Sequence, residues 1–134
     1  MTLFESCLTV GILSTMAFFA APPIMRARDN YQLDLVTRQL AANTQWTRIK
    51  AISRGRDCRV RVVSATSYVM ECLDPVWTAD QTIILPAGFL ISANASPDFH
   101  KRGNVAPAAT LTISDTHGHS KQVVVNITGR VRVQ

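Results

Sequence analysis

Hydrophobic and polar positions divide the 134-residue chain into stretches of different period. Between Glu5 and Arg26 lie the twenty residues SCLTVGILSTMAFFAAPPIM, which carry no charge. As a helix rising about 1.5 Å per residue they span roughly 30 Å, the hydrocarbon thickness of a bilayer. A buried core helix is the poorer reading, because a chain of this length has little core with which to surround it. A cleaved secretory signal is also disfavoured. It lacks a basic n-region, has Glu5 before the apolar run, and places Pro22-Pro23 where small residues belong. Beyond the prolines the pattern turns amphipathic. Leu33, Val36, Leu40, Thr44, Thr47 and Ala51 fall on one stripe, with Arg28, Arg38, Arg48 and Lys50 largely off it. The spacing predicts a nearly continuous helix over 2–53, with the prolines at a kink or a fresh first turn, and a sheet covering one face of its second half.

From Arg54 onward the period falls to two. The runs CRVRVVS, SYVMECL, QTIILP, GFLISA, ATLTISD, KQVVVNI and RVRV, separated by turn residues, predict six or seven strands in a mainly antiparallel sheet. The fold class is therefore α+β: a long N-terminal helix, apolar in its first half, packed by its second half on a C-terminal sheet domain. A hairpin loop centred on Ala65 sets Cys58 opposite Cys72, where an antiparallel pair brings two thiols within bonding distance. Two buried free thiols are the alternative. A disulfide there implies an oxidising compartment, with the C-terminal domain facing the periplasm or the outside. Cys7, inside the apolar stretch, is read as a packing residue.

Composition narrows the function classes. At 47% hydrophobic and 17% charged residues the chain is too apolar to be disordered. No cysteine sits in a CxxC, and the six glycines form no phosphate-binding frame. Asp115, His117 and His119 read as a hairpin loop in preference to a metal site, and no catalytic signature surrounds them. The expectation is a protein that is not an enzyme and holds no metal or cofactor. Trp46, Trp77, Phe89 and Phe99 are expected to pack. The formal charge of +5 is concentrated in part on strands, where side chains alternate faces, so Arg59 shares a face with Arg61 and Arg130 with Arg132. With Arg54, Arg56, Lys101 and Arg102 these pairs make a candidate cationic surface for phosphates, although a merely solvated strand face gives the same pattern.

Glu5 is an ionisable group at the edge of an oily helix, a position that asks for a cation. The α-amino group of Met1 qualifies, in the same chain or in a neighbouring copy, and the second choice sets the axial register of an assembly. A carboxylate resting among headgroups is the alternative.

The opening MTLFESCLTVGILSTMAFFAAPP resembles the mature N-terminus of type IV pilins and type II secretion pseudopilins. In that family a prepilin peptidase removes a short leader, the new first residue is methylated, Glu is fifth, and a proline commonly falls near position 22. Met1, Glu5 and Pro22 occupy those places, with methionine instead of the usual phenylalanine. LVTRQLAANTQWTRIKAISRG and VVVNITGRVRVQ resemble the GspH/FimT branch, whose FimT-like members carry a DNA-binding GRxR motif, here Gly129, Arg130, Val131 and Arg132. The resemblance implies a pilin fold: residues 1–25 a transmembrane or filament-core helix, 26–53 its amphipathic continuation, and 54–134 a globular sheet domain. It further implies a structural filament subunit that polymerises through Met1, Glu5 and Pro22, is N-methylated at Met1, and binds DNA through Arg130 and Arg132, with Arg59 and Arg61 as further candidates. A minor pseudopilin of a type II secretion system and a FimT-like DNA-uptake receptor at a pilus tip are the alternatives. Implied partners are further copies or other pilins, an inner-membrane platform and ATPase, the prepilin peptidase, and DNA. The implied location is the inner membrane as a single-pass protein with a periplasmic C-terminal domain, then the filament.

Overall fold

The computed structural model describes residues 2–134, without the side chains of Ala21 and Pro22. Met1 and the Pro22 side chain, both expected to act in assembly, lie outside the described residues. One helix, α1, runs Leu3–Arg54, within a residue of the expected bounds and through Pro22 and Pro23. The chain forms two compact units, the first ending at Gln32 and the second Leu33–Gln134. The boundary falls inside the helix, so the amphipathic part of α1 belongs with the strands.

In the first unit the large apolar side chains point into solvent. Leu3 is 86% exposed and Phe18 and Phe19 are 78% exposed. Three hydroxyls in this stretch turn back on their own helix: Thr9 donates to the Ser6 carbonyl at 2.9 Å, Ser14 to Val10 at 2.7 Å and Thr15 to Ile12 at 2.8 Å. A largely apolar surface with hydroxyls bonded within its own helix suits lipid or a packed helix partner, where water cannot supply the missing bonds.

In the second unit α1 buries the expected stripe. Leu33, Val36, Leu40, Thr44, Thr47 and Ala51 are all buried, together with Thr37. The threonines tolerate this position because Thr37, Thr44 and Thr47 bond to the carbonyls of Leu33, Leu40 and Asn43. Eight strands follow: β1 Cys58–Ser64, β2 Ser67–Asp74, β3 Val76–Ile84, β4 Phe89–Ala93, β5 Asp98–Phe99, β6 Ala109–Asp115, β7 Ser120–Val125 and β8 Val131–Val133. They make two four-stranded antiparallel sheets, ordered β3-β2-β1-β5 and β4-β6-β7-β8. Leu40, Val60, Tyr68, Phe99, Leu111, Ile113, Val123 and Val125 lie in one shared core.

The single sheet of six or seven strands expected from the sequence is instead two sheets with eight strands in all, because alternation fixes faces but not long-range pairing, and three smaller details also depart from the sequence reading. The strand expected from Gln81 begins at Val76, because its first half has no apolar alternation and is defined only by pairing with β2. The two-residue β5 is set by its ladder with Cys58 and Arg59 and leaves no periodic trace. Trp46, expected to pack, is 55% exposed on the solvent side of α1.

Cys58 lies opposite Cys72 in the β1–β2 ladder, and the two form a disulfide inside the core. Their sequence separation is 14. Closing a loop of about 15 residues restricts the unfolded chain by about 3 kcal/mol. A chain carrying both Cys58→Ser and Cys72→Ser should lose about that much in denaturant unfolding. Reductant should bring the wild type to the same midpoint and leave the variant unmoved.

Candidate functional site

Arg130 and Arg132 bracket the start of β8 and are both exposed. Arg132 stands opposite Val124 of β7, which in turn stands opposite Thr110 of β6, so the three share the outer face of the second sheet. On that face a groove of about 450 Å³ is lined by Arg130, Arg132, Asn94, Thr110, Asn126 and Gln134, among others, none of them acidic. Neither arginine forms an ion pair among the described residues, whereas Arg38, Arg54, Arg56, Arg59, Arg61, Lys50 and Lys121 all do.

The turn that delivers Arg130 is built on Gly129. Its φ is +79°, the left-handed region that side chains disfavour, and its N–H donates to the Asn126 carbonyl at 2.8 Å. A Cβ at this position would lie 2.1 Å from the Gly103 carbonyl oxygen and 2.6 Å from Arg48 Nε. Arg48 holds that arrangement from the helix, donating to the Gly103 carbonyl at 2.9 Å and to the Thr128 carbonyl at 3.4 Å. The glycine of the GRVR run is thus a close-approach residue, and Arg48 ties two loops to α1. Periodicity placed Arg48 off the apolar stripe without revealing its long-range partners.

Arg59 and Arg61 are elsewhere, on the first sheet, and are engaged. Arg59 Nε donates to Glu71 Oε2 at 2.7 Å, and Arg61 Nη2 donates to Glu71 Oε1 at 2.5 Å. The Arg59 guanidinium also lies over Trp77, 4.1 Å from the ring centroid, a cation–π contact. Hydrogen bonds from Arg61, and then from Arg59, hold the buried Glu71 carboxyl below its ordinary range. Asp98 faces Arg59 across β5, and burial pushes its carboxyl up. This cluster is electrostatically balanced and presents less free positive charge than the CRVRV pattern suggests. The structure therefore does not join the two arginine pairs into one surface. Arg54 and Arg56 pair with Asp80 and Asp74, while Lys101 and Arg102 are exposed on a turn.

Asp115 serves its own hairpin. Its Oδ1 accepts the backbone N–H groups of His117 at 2.8 Å and His119 at 2.9 Å, and its Oδ2 lies 3.0 Å from His119 Nδ1. Glu5, in the first turn of α1, is exposed among Leu3, Phe4 and Leu8.

The family described as type II transport protein GspH matches residues 36–129. Among solved structures, the minor pseudopilin EpsH from the type 2 secretion system of Vibrio cholerae is similar with a TM-score of 0.67 and 16% identity, covering 77% of this chain and 96% of that one. The type IV minor pilin FimU of Pseudomonas aeruginosa gives a TM-score of 0.65 at 16% identity, with 79% and 90% covered. At these identities the likeness is one of fold. No curated protein matches the chain.

Proposed function

The chain belongs to the GspH family of type II transport proteins, and on that premise we propose that it is a minor subunit of a pilus-like filament, held in the inner membrane by α1 until it assembles. The observation that carries this reading is the exposed apolar surface of the first unit, broken by Glu5 at its edge. Such a surface stays out of water only in lipid or against other helices, and moving from one to the other loses no burial. The similar folds of EpsH and FimU, one a minor pseudopilin and the other a minor pilin, support the minor role. The buried disulfide supports an oxidising, periplasmic location for the second unit. Leader removal and methylation at Met1, an assembly platform and an ATPase complete the proposal through the family. Immunogold electron microscopy of sheared filaments tests it. Label on the fibres is expected, and a chain found only in the membrane fraction overturns the reading.

A second role, DNA binding at the outer groove, is favoured by the two arginines that no acidic residue neutralises. Contacts of this kind go to phosphates, so binding should be independent of sequence and weaken with salt. The full chain in detergent should shift DNA in a gel at low salt. A chain with Arg130→Glu and Arg132→Glu should lose the shift while still entering filaments. A wild-type chain that leaves DNA unshifted removes this role and leaves the filament role intact.

A further inference from the structure

Resting on the DNA-binding reading, we propose that the outer groove is a four-donor phosphate cradle in which Asn94 and Asn126 act beside Arg130 and Arg132. The two asparagines come from different loops, Asn94 after β4 and Asn126 after β7, and both line the groove with the arginines. In each, the amide oxygen is already committed. Asn94 Oδ1 accepts the Thr110 N–H at 2.7 Å, and Asn126 Oδ1 accepts the Ile127 N–H at 2.7 Å. Because a backbone N–H can only donate, these contacts fix which end of each amide is oxygen. The backbone of Asn126 is equally occupied, its N–H donating to the Arg130 carbonyl at 3.0 Å and its carbonyl accepting from Gly129. What remains on each residue is an NH₂ group with no acceptor among the described residues.

The groove therefore offers two guanidinium groups and two amide NH₂ groups, with no acidic side chain on its walls. Four donors converging where no acidic side chain competes suit an oxyanion. Phosphodiester oxygens accept several such bonds at once, and charge-assisted bonds are the stronger kind. The division of labour is physical. Arg130 and Arg132 supply the long-range, salt-sensitive attraction, and the neutral asparagines supply short-range bonds that orient the phosphate without releasing counterions.

Asn→Asp substitution separates this role from a structural one. Asn94→Asp and Asn126→Asp keep the oxygen that accepts the backbone N–H, so the loops retain their bonds, while each donor becomes a carboxylate facing the ligand. DNA binding by the full chain in detergent should fall about tenfold or more for each, with unchanged thermal unfolding. Asn94→Ala with Asn126→Ala should weaken binding yet leave the slope of log K against log salt unchanged, whereas removing the two arginine charges should reduce it by about 1.4 to 1.8. Titration with inorganic phosphate should move the Asn94 and Asn126 side-chain NH₂ resonances in the NMR spectrum. If the aspartate variants bind DNA as the wild type does, the cradle is overturned and the arginine-only reading stands. If phosphate moves the amides but DNA does not bind, the cradle stands and its polymer is not DNA. Silence in both measurements removes both.

Discussion

A chain carrying Glu5→Ala is expected to insert into the membrane as the wild type does and to be nearly absent from filaments. Removing the carboxylate makes the apolar stretch more lipid-like, so membrane residence does not suffer. Assembly is different: with Glu5 proposed to pair with the α-amino group of a neighbouring copy, that amine would then enter an apolar packing with no counter-charge. Breaking one partner of a buried ion pair costs about 3–5 kcal/mol. That corresponds to a drop of roughly 100-fold or more in filament incorporation, read as the ratio of chain in sheared fibres to chain in membranes. Glu5→Gln, which keeps the size but not the charge, should fail almost as badly. Incorporation of Glu5→Ala at the wild-type ratio would show that apolar packing alone sets the register.

The second large effect is on stability. Gly129→Ala should destabilise the second unit by about 3–5 kcal/mol, combining an unfavourable left-handed backbone with overpacking. The clash is with the Gly103 carbonyl, part of the main chain, and with Arg48 Nε, so no side-chain rotation relieves it. The added methyl should also displace Arg48 from the Gly103 and Thr128 carbonyls and shift the turn that positions Arg130. Thermal unfolding of the full chain in detergent checks the first effect. DNA binding below the new midpoint checks the second. A variant with the wild-type midpoint would mean that the turn relaxes freely and that Gly129 is not a close-approach residue.

The helix was readable because burial there repeats with the helical period, and even the polar Thr44 and Thr47 fit once their hydroxyls bond within the helix. The disulfide was readable for a similar reason, since a hairpin centre fixes every opposed pair. The same centre also opposes Arg59 to Glu71. Taken with the diagonal reach of Arg61, it places both arginines of the first pair on one carboxylate. The split into two sheets was not readable, because strand patterns fix faces but not which strand pairs with which at long range. Nor were the groove residues. Asn94 and Asn126 look like ordinary turn residues in sequence, and only the bonds that consume their oxygens expose the free donors. Trp46 misled because an aromatic on an amphipathic helix is usually covered, and here the opposite face meets the sheets.

Should the proposed filament carry tension, the Cys58–Cys72 bond limits how far the chain can be drawn out. If load strips β1 from its neighbours, the 14-residue interval between the sulfurs stays closed. About 50 Å of contour length is thereby withheld from extension. The link lies at the first hairpin after α1, ahead of six of the eight strands. Load entering through α1 thus crosses the S–S bond and passes on to the later strands, so the first hairpin alone is held out of the extension.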